Sequence, residues 1–190
     1  MDIQDRIRSA FLDLAEEEPS LQKVTTTQVL NRAGVSRSTF YSYYKNKKEL
    51  LEDVMSYFLW ETSSSVRHVF PARQGMEAYR EAYLKMTRLI YRHRRLFRQL
   101  IKTNVFETRM IDTIVDYLLM QYREMMPEVP EDIRRMVAVG TTSYVYGNLN
   151  EWARNGYPLT PEELTEKLIV SLNVTKKRFV SEPSAPNKSN

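Results

Sequence analysis

The stretch from Pro19 to Lys48 contains neither Asp nor Glu, yet carries Lys23, Arg32, Arg37, Lys45, Lys47 and Lys48. A surface that lies beside phosphates must exclude carboxylates as well as offer cations, because each neutralised phosphate releases counterions and each like charge opposes approach. Within the stretch, a tight Gly34-Val35 turn leads into Ser36, Arg37, Ser38 and Thr39. Small side chains let the backbone near base edges, hydroxyls bond phosphates or bases, and the Arg37 fork matches O6 and N7 of guanine. Tyr41 and Tyr43 add phenol donors at phosphate range. The chemistry is non-covalent recognition of a duplex. A solvated basic surface is the alternative, as are Tyr41 and Tyr43 as partly buried wedges; Phe40 reads as core.

Catalytic chemistry finds no comparable grouping. There is no glycine-rich phosphate loop and no recognisable Ser, His and acid motif, so no catalytic residue is assigned and the chain is not expected to be an enzyme. Cysteine is absent and only His68 and His93 are present, which removes thiolate chemistry and leaves no metal site or cofactor to expect.

The elements that would hold Ser36 to Tyr43 are all helical. Ile3, Ile7, Ala10, Phe11, Leu14 and Ala15 recur at helical spacing and predict a helix over about 3–17, closed by Pro19. Thr25 and Gln28 form a capping-box pair that starts a short helix ending at Gly34, and Ser36 caps the next. Asn46 with Glu49 launches a long amphipathic helix to about 69. Pro71 and Gly75 mark a boundary. Beyond it, helices are predicted over 76–102, 104–126, 131–155 and 161–180, the last opened by Thr160, Pro161 and Glu163. No segment sustains period-two alternation. The fold class is all-α, about nine helices, and the ending EPSAPNKSN reads as disordered.

With 190 residues, 42% hydrophobic and 27% charged, the chain can bury a core; its net charge of +4 permits a polyanionic partner without requiring one. No apolar run approaches a membrane span, and the N-terminus lacks a cleavable leader pattern, so no membrane partner and a cytoplasmic location are expected.

The run from Thr25 to Leu51, with Ala33-Gly34-Val35-Ser36, Thr39, Tyr43-Tyr44 and Lys47 before Glu49-Leu50-Leu51, resembles the DNA-binding domain of the tetracycline-repressor (TetR) family. The likeness spans roughly residues 5 to 60. The C-terminal half resembles the family in length, helix count and a Gly147, Trp152, Pro161-Glu162-Glu163-Leu164 pattern. Leu30 and Tyr44 depart from it, standing where alanine and phenylalanine are common, and read as packing changes.

The resemblance implies a ligand-responsive regulator, a repressor by default, that binds a near-palindromic operator in double-stranded DNA as a homodimer. Thr25 and Thr26 would touch phosphates, while Ser36, Arg37, Ser38 and Thr39 would face bases and backbone. Tyr41 and Tyr43 would hold phosphates, and Ser42 joins the same DNA-binding set. Lys47, at a helix N-terminus, would bind a phosphate where helix dipole and ammonium act together. Residues 1–60 would form the helix-turn-helix domain, 61–181 the ligand-binding and dimerisation domain, and 182–190 the tail. A small-molecule effector would be lined by some of Trp60, Tyr83, Met86, Phe97, Tyr117, Met120 and Tyr144, against the plainer reading that such residues are core. Dimerisation is expected through helices within 131–180, where Gly140 and Gly147 permit close approach, or these helices serve only an internal core. A coactivator working through a protein partner, or a helical enzyme, are the other readings.

A second acid-free window, Ala82 to Phe106, carries Lys85, Arg88, Arg92, Arg94, Arg95, Arg98 and Lys102. Arg88, Arg92 and Arg95 fall on one face of the helix expected there, which either attracts an anion or is simply solvated.

Overall fold

The computed structural model describes residues 2–67 and 76–180. His68, the expected Pro71–Gly75 boundary and the tail at 182–190 lie outside them. The described residues form helices α1 (Ile3–Glu17), α2 (Thr26–Ala33), α3 (Arg37–Tyr43), α4 (Lys47–Arg67), α5 (Met76–Arg92), α6 (Arg94–Leu100), α7 (Asn104–Met125), α8 (Glu131–Arg154) and α9 (Pro161–Val180), with no strand among them.

Local chemistry sets the ends of the first helices. At α2 the Gln28 N–H donates to Thr25 Oγ1 (3.2 Å) while the Thr25 N–H donates to Gln28 Oε1 (2.7 Å), so each residue satisfies an amide the other leaves free. The helix stops at Gly34, whose φ of 62° is the left-handed conformation that costs a side-chain-bearing residue about 1–2 kcal/mol. Arg6 on α1 reinforces that turn by donating to the carbonyls of Ala33 (2.6 Å) and Gly34 (3.1 Å). A Cβ at Gly34 would sit 3.1 Å from the same guanidinium, so two constraints select glycine. Ser36 then caps α3 by accepting from the Thr39 N–H at 3.0 Å. At α4 the Glu49 N–H donates to Asn46 Oδ1 (3.0 Å), but the Glu49 carboxylate reaches one residue further back, to the Lys45 N–H (2.6 Å).

Phe40 on α3 is fully buried against Tyr44, and the Tyr44 hydroxyl donates to Asp53 on α4 (2.7 Å), which also accepts from Arg8 on α1 (3.1 Å). Leu30 is buried too. Both departures from the family pattern therefore pack inward, and Tyr44 adds a hydrogen bond that phenylalanine would lack. Burial and the bond to Asp53 both push the Tyr44 phenol above its ordinary range, so it remains a donor.

The single helix expected over 76–102 is two. The chain bends at His93 (φ −108°, ψ 42°), and the carboxylate of Glu16 on α1 accepts from the N–H groups of Arg95 (3.1 Å) and Leu96 (3.0 Å) at the new helix start. Those amides would be unsatisfied at a helix start; a carboxylate there also meets the positive end of α6. Gln99 accepts from the Leu21 N–H (2.6 Å), and Arg95 donates to the Glu17 carbonyl (2.9 Å). α6 is thus fastened to the N-terminal helices by backbone groups on both sides. Phe97 on α6 lies against Phe58 of α4 (6.2 Å) and Phe106 of α7 (6.0 Å), all three fully buried.

α5 packs along α9 and α7 along α8. Buried Thr87 and Thr165 hydroxyls meet at 3.0 Å between α5 and α9, flanked by the exposed pairs Arg80–Glu166 and Arg88–Glu162. Trp152, Tyr91 and Tyr157 form an aromatic cluster, with the Tyr157 hydroxyl on the Arg94 carbonyl (2.6 Å). No described helix is long and apolar enough to cross a membrane.

Candidate nucleic-acid interface and effector cavity

The N-terminus of α2 and the outer face of α3 bring together most of the residues expected at DNA. Thr25, Ser36, Arg37, Ser38, Tyr41, Ser42 and Tyr43 are exposed, and Thr26, Thr39 and Lys47 are half-buried. Tyr41 and Tyr43 keep 53% and 40% of their surface in solvent, so each ring presents part of itself outward while the rest is covered. The hydroxyls form a rigid set: Ser36 Oγ lies 2.9 Å from Ser38 Oγ and 2.8 Å from Thr39 Oγ1, and Ser42 Oγ donates to the Thr39 carbonyl (2.7 Å). Arg37 stands at the first turn of α3 with its side chain in solvent.

Folding changes the charge inventory of this face. Arg32 is turned onto Glu17 through two bonds of 2.8 and 2.7 Å, and the Gln28 amide donates to Glu18 (3.0 Å), so carboxylates just outside the acid-free stretch are folded against it. The Lys47 ammonium donates to the carbonyls of Leu21 (3.3 Å), Gln22 (3.0 Å) and Val24 (2.9 Å). An ammonium has three donors, and here three carbonyls take them up where the resemblance leads one to expect a phosphate. In this arrangement Lys47 is a clasp that fixes the turn before Thr25 to the start of α4. Lys23, Arg37 and Lys45 remain exposed cations.

The effector candidates are scattered. Tyr83 and Met86 of α5 line a cavity of about 30 Å³ together with Met110, Ile114 and Leu118 of α7 and Thr141, Thr142, Val145, Tyr146 and Leu149 of α8. Phe97 belongs instead to the Phe58–Phe106 core. Trp60 is exposed on a separate cleft beside Asp112 and Asp116, and Met120 is exposed as well. Tyr117 is buried away from the cavity lining. Tyr144 faces a groove between α8 and α9, where its hydroxyl meets Ser171. Thr142 and Tyr146 went unforeseen although they stand two positions either side of Tyr144. Helical geometry places them about 160° or more from it around the axis, and composition alone does not say which α8 face points inward.

The face of α8 that looks away from the core carries exposed Ile133, Met136, Val137 and Val139, and a Cβ built at Gly140 or Gly147 would meet nothing within 4 Å. Leu149, Trp152, Leu164, Leu168 and Ile169 are buried within the chain's own core. In the second basic window, Arg88 pairs with Glu162 and Arg95 with the Glu17 carbonyl, and the bend at His93 divides the face they were expected to share.

A short, tightly capped helix presented by two others, with an all-helical body behind it, is the architecture of a helix-turn-helix transcriptional regulator. A family model described as bacterial regulatory proteins, tetR family, matches residues 17–54, and one described as transcriptional regulator C-terminal region matches residues 77–174. The chain belongs to the TetR family of transcriptional regulators. It is 31% identical over 52 residues to an uncharacterized HTH-type transcriptional regulator, YxbF, of Bacillus subtilis (strain 168), a match covering 27% of this chain and 14% of that relative's length. The fold is similar to a tetR-family transcriptional regulator from Streptomyces coelicolor (TM-score 0.73, 18% identity, 95% of this chain and 85% of that one). It is also similar to the dihydroxyacetone kinase operon activator DhaS (TM-score 0.69, 16% identity, 93% and 97%).

Proposed function

We propose that the chain is a cytoplasmic, non-enzymatic repressor that binds a near-palindromic operator as a homodimer and leaves it when an effector enters the C-terminal helices. Residues 1–60 would read DNA and 61–181 would bind effector and partner. The observation that carries the reading is the outer face of α3, where Arg37, Tyr41 and Tyr43 are exposed beside a capped, carboxylate-free helix start. Thr25, Thr26, Ser36, Ser38, Thr39 and Ser42 would contact backbone or bases, and Lys47 would act chiefly by fixing the turn that presents Thr25.

The homodimer reading rests on the outward face of α8. Ile133, Val137, Gly140, Tyr144 and Gly147 recur at three- and four-residue spacing, and a second copy of α8 and α9 would cover them. The mechanism follows from how α4 is held. Lys47 and Asp53 tie it to the α1–α2 turn, Arg8 and Tyr44, so a displaced α4 carries the head with it and alters the spacing of two α3 helices.

Fluorescence anisotropy on DNA from beside the gene, across a salt series, tests this. Sequence-specific affinity that falls steeply with salt is expected; equal affinity for scrambled DNA overturns it. A coactivator acting through a protein partner is the second reading, favoured by the small volume of the cavity and by the similarity to a protein named as an operon activator. Its signature is no shift of upstream DNA together with stable capture of that partner.

A further inference from the structure

Hydroxyls on the described helices mostly find a partner close by. Thr62 donates to the Phe58 carbonyl (2.7 Å), Thr165 to the Pro161 carbonyl (2.7 Å) and Ser56 to the Glu52 carbonyl (2.9 Å), the usual back-bond one turn earlier. Tyrosine hydroxyls behave alike: Tyr44 reaches Asp53 and Tyr57 reaches Glu61. Thr142 and Tyr146 break the pattern. Both are 96% buried, one turn apart on α8, and neither Thr142 Oγ1 nor the Tyr146 hydroxyl has a hydrogen-bond partner.

Both residues line the cavity among α5, α7 and α8. The rest of its wall is Met86, Met110, Ile114, Leu118, Val145 and Leu149, with Tyr83 and Thr141, and no side chain in the lining carries a charge at neutral pH. A buried polar group left unpaired costs stability, so two on one face of a cavity mark a place completed by something else. Water would satisfy the hydroxyls and gain nothing from the wall. Building on the reading of the C-terminal half as effector-binding, we infer that this cavity takes a small, uncharged, mainly apolar molecule whose single hydrogen-bonding head is anchored by Thr142 and Tyr146. At about 30 Å³ the empty space is that of about two waters, so a ring enters only if the wall opens, and the flexible Met86 and Met110 side chains are the groups that yield. Burial pushes the Tyr146 phenol up to about 12, which keeps it a donor at neutral pH. No lining residue offers a cation to an anionic head, and of the outlying charges that act on the Tyr146 phenol the Glu107 carboxylate outweighs Arg154, so an anionic ligand is disfavoured.

Phenol, benzoate and toluene titrated calorimetrically into the full chain at neutral pH share one ring and differ only in the head. Phenol is expected to bind once per chain, with benzoate at least tenfold weaker and toluene about fivefold to tenfold weaker. In Thr142→Val/Tyr146→Phe, phenol falls to the level of toluene, toluene is unchanged, and the melting temperature does not drop, because unpaired groups rather than bonds are removed. The single substitutions each give part of the loss. Benzoate matching phenol, a preserved phenol-to-toluene ratio in the variant, a lower melting temperature, or no saturable binding of any probe would each overturn the inference. Operator anisotropy on the same samples separates the two readings. Specific DNA binding without probe binding removes the cavity ligand alone, whereas probe binding without specific DNA binding removes the repressor and keeps the cavity.

Discussion

Around α3 the serine and threonine hydroxyls are tied within the chain before any DNA arrives, whereas the cavity among α5, α7 and α8 keeps two buried hydroxyls free. In the first region Thr25, Ser36, Ser38, Thr39, Ser42 and Lys47 all have partners within the chain. In the second, Thr142 and Tyr146 have none. The contrast follows from what each region meets. A surface that docks on a stiff polyanion gains from being rigid beforehand, since side chains ordered on contact lose entropy then. A ligand shifts an equilibrium only as far as it binds one state better than the other, and two unpaired hydroxyls give a ligand bonds to gain in the state that holds them.

α6 lies between the two regions, and substitutions there test whether they are separate at all. Phe97→Ala should have the largest effect, about 3–5 kcal/mol of stability, read as a lowered denaturation midpoint. If Phe97 instead lined the effector site, ligand affinity would fall with little change in stability. Arg37→Ala comes next: about 1–3 kcal/mol of operator affinity, roughly fivefold to 150-fold, with an unchanged melting temperature. A drop in stability there would mean that the head is not already assembled in the free protein.

Thr25→Ala removes half of a reciprocal cap and should cost about 1 kcal/mol of stability, together with some operator affinity; a cost in affinity alone would place Thr25 purely at the DNA. The smallest effect is a pH dependence at the α5–α6 bend. Burial lowers the His93 pKa, against the opposing charge of Glu16. A base whose pKa is lower folded than unfolded resists protonation in the native state, so stability is full above the unfolded value of about 6.5 and declines as pH falls below it. His93→Gln should flatten the melting temperature between pH 7 and 5; an unchanged slope would assign the effect to carboxylates.

The head was legible because its determinants are local. Thr25 with Gln28, Gly34 after Ala33, and Ser36 before Thr39 act across one helical turn, and the structure uses each as its spacing predicts. Lys47 shows the opposite case. The resemblance implies a phosphate there, while the carbonyls that take up its ammonium in the free chain come from residues more than twenty positions earlier. The bend at His93 was invisible because apolar spacing continues through it, and the carboxylate that stabilises the new start is 79 residues away from Arg95.

By itself the sequence determined the all-helical class, the capped helix-turn-helix and the carboxylate-free run, since periodicity, capping and charge exclusion are written in neighbouring residues. The tertiary structure decided which aromatics are core, which cations are already paired, where α5 ends and which hydroxyls are left buried and alone. Those outcomes depend on groups brought together from distant parts of the chain, and a hydrogen bond or a cavity wall exists only once both of its sides are in place.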